Sequence, residues 1–145
     1  MRTRTLLLLS VSCGLAILLA GLFLLLRIDR TGPTVERLAI GDTARAGDLR
    51  VTVLSADESD GFMRVAVRIG GVVDDSVTDD FRLVVPGELI APLPAEQAGG
   101  GACGRVSEVD ATCDLVFGTA QVEGSARSLL LRRGEDQRRW DLART

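Results

Sequence analysis

Twenty-one consecutive residues, Leu6 to Leu26, carry no charge, and the chain after Asp29 is polar, Gly-rich and strand-like. As a helix, that run is about 31 Å long, close to the hydrocarbon thickness of a bilayer. Eleven Leu, with Val11, Ile17 and Phe23, favour insertion by roughly 7 kcal/mol. Ser10, Ser12, Gly14 and Gly21 do not offset this, because a hydroxyl in a helix bonds back to the backbone. A buried core helix is excluded by the absence of a polar face at any helical phase. The run therefore reads as a transmembrane helix retained as a single-pass anchor. A cleaved signal would need a small-x-small site, which Leu18-Leu19-Ala20 matches poorly. A lipoprotein signal would need Cys13 after a Leu-small-small triplet, and Ser10-Val11-Ser12 stands there.

Arginines flank both ends of the run, so the positive-inside rule alone does not orient it. A short Arg-containing start before a Leu run resembles an export signal, and the cysteine pair below calls for an oxidising compartment. The expected layout is residues 1–5 cytoplasmic, 6–26 transmembrane, 27–36 a linker around Gly32-Pro33, and 37–145 one extracytoplasmic domain at the plasma membrane. So short a linker confines partners to the membrane and the adjacent envelope.

The chain has no His, Lys, Tyr or Asn, and all seventeen of its basic residues are Arg. Ser-His and Cys-His nucleophile pairs are thereby excluded, as are Schiff-base and P-loop lysines. Only a carboxylate mechanism survives, and no two carboxylates are forced together by the sequence. The expectation is a non-enzyme with no cofactor. From Thr31 onward thirteen Arg face nineteen acidic residues, a net charge of −6, which argues against nucleic acid. The charge is uneven, with residues 127–145 carrying +3. A basic hairpin with Arg132, Arg133, Arg138 and Arg139 is thus a candidate surface for lipid headgroups or an acidic partner, set against a solvated hairpin.

Beyond the linker the hydrophobic period is two. Leu49–Val53, Met63–Ile69, Phe81–Val85 and Cys113–Phe117 each alternate, and Asp60-Gly61 and Pro86-Gly87 mark turns. Glu88 to Ala91 reads as a short edge strand, and Arg133-Gly134-Glu135-Asp136 as the turn of a last hairpin. About seven short strands imply an all-β, antiparallel, immunoglobulin-like sandwich. Its expected core is Leu49, Val51, Val53, Val65, Val67, Ile69, Phe81, Leu83, Leu115, Phe117, Leu130 and Trp140.

Cys103 and Cys113 are the cysteines of the exported part and read as a disulfide. Closing so short a loop stabilises by roughly 2.8 kcal/mol on loop entropy and pins Gly99-Gly100-Gly101 to the following strand. Asp74, Asp75, Asp79 and Asp80 form the densest carboxylate cluster and are the candidate calcium ligands, against a solvated loop. The turn at Asp57–Gly61 fails as an EF-hand, because its first and twelfth positions would be Ala56 and Val67.

The order of these features resembles a bacterial family of telokin-like, immunoglobulin-like extracellular domains. The residues that carry it are Ile40-Gly41-Asp42-Thr43, Leu49-Arg50-Val51-Thr52-Val53, the strand Met63–Ile69, Asp80-Phe81-Arg82-Leu83-Val84, the strand Thr112–Phe117 and Trp140-Asp141-Leu142. Val106-Ser107-Glu108-Val109-Asp110 replaces a Pro-Gly-Glu turn usual before the penultimate motif. The resemblance implies a fold and an extracellular location and carries no catalytic residues. The function expected is binding or scaffolding of an envelope protein, with a ligand- or calcium-binding accessory domain as the alternative.

Overall fold

The computed structural model describes residues 2–30 and 36–142. The expected linker centre, Gly32-Pro33, and the basic Arg144 lie outside them. The chain divides into two units, one N-terminal and one from Val35 on.

The first unit is a single helix, α1 (Arg2–Arg30). It extends beyond both ends of the apolar run, so residues 27–30 are helical where a linker was expected. Helical hydrogen bonding runs along the backbone and does not require apolar side chains, so it continues through the polar residues. Within it, Arg2–Arg27 is long and apolar enough to cross a membrane, and its leucines are all exposed.

The second unit is a two-sheet sandwich of nine strands: β1 (Arg37–Leu38), β2 (Thr43–Ala46), β3 (Leu49–Ser59), β4 (Phe62–Gly70), β5 (Phe81–Val85), β6 (Glu88–Ile90), β7 (Ala111–Gly118), β8 (Ser128–Arg133) and β9 (Asp136–Asp141). A short helix, α2 (Ala95–Ala98), lies between β6 and β7. One sheet has the order β1-β9-β8-β5-β6, the other β2-β3-β4-β7. Two strands beyond the expected seven are β1 and β2, which are too short to show periodicity.

Turn chemistry sets the register. At Asp60-Gly61 both residues have positive φ, 54° and 78°, as a type I′ hairpin turn requires. Ser59 therefore pairs with Phe62, and Asp57 to Ser59 belong to β3 rather than to the turn. Pro86-Gly87 joins β5 to β6, with Val85 opposite Glu88. The expected antiparallel pattern has one exception: β1 pairs with β9 in parallel. These strands lie at opposite ends of the domain sequence, so no hairpin constrains their direction.

The inner faces meet in one core. Leu49, Val51, Val53, Val65, Val67, Ile69, Leu115 and Phe117 of one sheet face Phe81, Leu83, Leu129, Leu131 and Trp140 of the other, all essentially inaccessible. The indole Nε1 of Trp140 donates to the carbonyl of Asp42 (3.0 Å), fastening β9 to the segment that crosses between sheets. Leu130 is a correction: it is half-buried on the outer face, and Leu129 and Leu131 point inward. In Leu129-Leu130-Leu131 every phase is apolar, so hydropathy alone cannot choose the inward one.

A bulge between Val53 and Ser55 shifts the later register of β3. An extra residue reverses the phase of everything after it. Glu58 consequently lies opposite Met63, on the side of β4 that carries Val65 and Val67, at the end of the sandwich.

Candidate functional site

Backbone pairing first places the acidic loop. Asp74 and Val106 exchange two N–H···O bonds (3.1 and 2.9 Å), tying the loop after β4 to the segment before β7. The Oδ1 of Asp74 accepts from the N–H and the hydroxyl of Ser76 (2.8 and 2.9 Å). Its Oδ2 accepts from Nη1 of Arg133 (2.9 Å), which also donates to Asp80 (2.8 Å). The Nε of Arg133 donates to Asp48 in the β2–β3 turn (2.9 Å). Asp75 pairs in solvent with Arg105 (3.1 Å). Asp79 joins no ion pair among the described residues; its N–H donates to the carbonyl of Ser76.

Two candidates that stand apart in the sequence, the Asp cluster and the basic hairpin, thus meet at Arg133. A guanidinium sits among Asp48, Asp74 and Asp80, where a calcium ion would need six to eight oxygens. The four candidate carboxylates do not converge on one another, and no described group of three or more acidic or cysteine side chains is arranged to hold a metal. The Ser76 backbone N–H, then Arg133, hold the Asp74 carboxyl below its usual range, and the Arg133 guanidinium is held above its own by Asp74, Asp80 and Asp48. Gly47 N–H also donates to Asp136 (2.8 Å), so this cluster latches the turns of two hairpins from opposite sheets.

The other arginines of the hairpin divide by strand phase. Arg138 lies opposite the inward-facing Leu131 and donates to the carbonyl of Gln137. Arg132 and Arg139 face outward. Pairing across the sheet puts Arg37, Arg139, Leu130 and Arg82 in one row on its outer face. The next row is Asp141, Ser128, Val84 and Leu89. Leu130, Val84 and Leu89, the last 57% exposed, therefore form an apolar strip beside Arg82, Arg132 and Arg139. Sequence reading missed this surface because Leu130 was given to the core and because Arg37 and Arg82 reach it from distant strands.

Cys103 and Cys113 form a disulfide. Around it, Cys103 N–H donates to the carbonyl of Asp114 (2.9 Å) and Asp114 N–H to that of Gly101 (2.8 Å). Leu93 N–H adds a bond to Val116 (2.7 Å). The long connection is thereby laid along the open edge of β7.

Clefts indent the described part of the sandwich. One, of about 470 Å³, is lined by Glu58, Met63, Arg127 and Leu142 among others. A second, of about 260 Å³, lies by Asp60, Phe62 and Gln97. The third, of about 210 Å³, contains Arg37, Arg127, Arg139 and Asp141. Each lining includes a single carboxylate, so none of the three presents the facing pair that acid–base hydrolysis needs. Arg127 reads in the sequence only as one charge of the basic end, and its burial is not apparent there. It is 6% exposed and donates to Glu58 (3.1 Å) and to the carbonyls of Gly124 and Ala126 (2.9 and 3.0 Å). Only the bulge that turns Glu58 inward makes that burial tolerable, and no local motif announces it.

No protein-family model matches the chain, and no curated protein is significantly similar to it. Among solved structures it is similar to MPT63, a secreted protein from Mycobacterium tuberculosis, with a TM-score of 0.55 and 12% identity. The match covers 74% of this chain and 99% of that one. At this identity the likeness concerns the fold: an immunoglobulin-like β-sandwich, here following an apolar N-terminal helix.

Proposed function

We propose that this chain is a single-pass, extracytoplasmic β-sandwich that binds or scaffolds another protein of the cell envelope and has no chemistry of its own. The observation that carries this reading is the outer face of the five-stranded sheet. An apolar strip of Leu130, Val84 and Leu89 bordered by arginines, on a domain that is otherwise acidic, fits a partner with an apolar centre and an acidic rim. β6, which bears Leu89, is a sheet edge with no strand beyond it among the described residues, and an exposed edge is a template for pairing.

Three further features support the placement. The disulfide belongs in an oxidising compartment. The apolar helix is of membrane-spanning length, and a secreted protein shares the fold. The proposed layout is a cytoplasmic start, a retained span within α1, a linker from residue 31 and an extracytoplasmic domain to the end. We extend the reading to membership of the telokin-like extracellular family named above. The calcium alternative is disfavoured by Arg133 among the candidate ligands.

A photo-crosslinking residue placed at Leu89 or at Leu130 in the full chain, in living cells, tests the reading. Both positions are expected to capture one and the same envelope protein, while Val109, exposed outside this face, captures none of it. Equal capture from all three positions would overturn the binding surface.

A further inference from the structure

Of the sandwich's aromatic rings, Phe81, Phe117 and Trp140 are fully enclosed, and Phe62 is 48% exposed. Strand register accounts for the difference. Phe62 lies on the outer face of the four-stranded sheet between Ser59 of β3 and Gly118 of β7, a small side chain and none at all. A Cβ built on Gly118 would meet nothing within 4 Å, so the space beside the ring is open. The ring forms one wall of the 260 Å³ cleft. The other wall is the connection after β6, held to β7 by the bond from Leu93 N–H to Val116 and again by the disulfide at Cys103. Leu93, Ala98 and Val116 give the cleft an apolar lining. The hairpin tip is fixed as well, because Thr119 N–H donates to the carbonyl of Gly61 (2.7 Å). Ser59, Asp60 and Gln97 border the cleft in exposed positions, and their side chains bond to no other described residue. Arg64, also in the lining, gives Nη1 to Asp114 (3.0 Å) and keeps further N–H donors on a half-exposed side chain.

We infer that this cleft is a binding site for a neutral saccharide. The ring sets the first requirement. The face of an aromatic ring is apolar and negative, so it takes a flat group that presents weakly positive C–H bonds. One face of a pyranose does this. The rim sets the second requirement. Asp60 only accepts hydrogen bonds, Arg64 only donates them, and Ser59 and Gln97 do both. Hydroxyl groups, which donate and accept, suit so mixed a set. An apolar side chain of a protein would use the ring and leave the rim idle. Charge sets the third. Arg64 already has a carboxylate, and Asp60 joins no ion pair among the described residues, so the cleft repels an anion. Size sets the last. The cleft is smaller than the roughly 300–1,000 Å³ of pockets for drug-sized ligands, so it holds a single sugar ring and the rest of a longer chain runs out over the surface. The site goes beyond the protein-binding reading and stands without it, because it lies on the other sheet and shares no residue with the apolar strip.

The experiment uses the full chain in a polyoxyethylene detergent, which brings no sugar of its own. Maltotriose, cellotriose, chitotriose and mannotriose are titrated by saturation-transfer NMR, with a galacturonic acid trimer as the anionic comparison. At least one neutral trisaccharide is expected to bind with millimolar or tighter affinity, and more tightly than the uronate. F62A removes the ring and G118V fills the space beside it, and each is expected to weaken binding roughly tenfold or more. F62W keeps an aromatic face and is expected to bind. R132Q, on the other sheet, is expected to bind as wild type. Phe62 is exposed and Gly118 has room for a side chain, so both cleft variants are expected to melt with wild type. Should F62A fail to fold, G118V still decides the question. No binding of any neutral trisaccharide, tighter binding of the uronate, or binding unchanged in G118V would overturn the site. A photo-crosslinking residue at Glu96, next to the rim, tests the other occupant in living cells. Capture of glycan supports the site, and capture of a protein without glycan overturns it.

Discussion

Arg133 shows how one side chain can be misjudged by its neighbours in sequence. Next to Arg132, with Arg138 and Arg139 following the turn, it reads as one charge of a basic surface. In the fold its side chain is 21% exposed and bonded to Asp48, Asp74 and Asp80. Those carboxylates come from the β2–β3 turn and from the loop before β5, and no spacing rule links positions 48, 74, 80 and 133. Removing the guanidinium leaves three acids facing one another at the end of the sandwich. R133Q is expected to lower unfolding free energy by about 2 kcal/mol, more than a surface pair is worth because three partners are lost together. R132Q is expected to change it by less than about 0.5 kcal/mol. Urea denaturation of the two variants checks this. The sign of the pH effect follows from Asp74. Its carboxyl is held low in the fold, so its contribution is complete above the ordinary carboxylate value of about 4 and disappears as pH falls through the depressed one. Stability is expected to decline below about pH 4, less steeply in R133Q. The Ser76 N–H, the larger cause, preserves part of the dependence in the variant.

At the scale of elements, much of the sandwich was legible. Period-two stripes located β3, β4, β5 and β7, and Asp60-Gly61 and Pro86-Gly87 located two turns, because those positions need φ values that few residues accept. What stayed illegible was set by pairing rather than by local pattern. β1 has two residues and exists because β9 offers it an edge. The phase of Leu129-Leu130-Leu131 was decided by Phe81 and Leu83 on the neighbouring strand. The bulge in β3 carried Glu58 to Arg127, and with it the cleft that both line. The disulfide is the element whose role the sequence made plainest. It holds the 99–103 segment against β7, where an unprotected edge would invite pairing with another chain. Replacing Cys103 and Cys113 together by Ser is expected to cost about 3 kcal/mol, the loop-closure value for so short a loop, and to raise aggregation on mild heating. Chemical denaturation and light scattering measure the two effects. A cost near zero, with no added scattering, would assign the loop's position to its hydrogen bonds alone.

At the scale of the whole molecule, an apolar helix precedes a two-sheet sandwich along the chain. The sandwich buries a lean core with a single Trp, Trp140, fully enclosed. The apolar strip and the arginine-lined cavity both lie on the five-stranded sheet, the sheet that also holds the domain's two terminal strands. In the layout proposed above, a partner of that sheet is expected to belong to the membrane or the adjacent envelope. This depends on the helix staying in place. Intact-mass spectrometry of the protein from alkali-washed membranes and from culture fluid tests that claim most directly. The expected result is a membrane-bound species whose mass includes residues 6–26, with Cys103 and Cys113 oxidised. A species in the fluid that begins beyond those residues would contradict it.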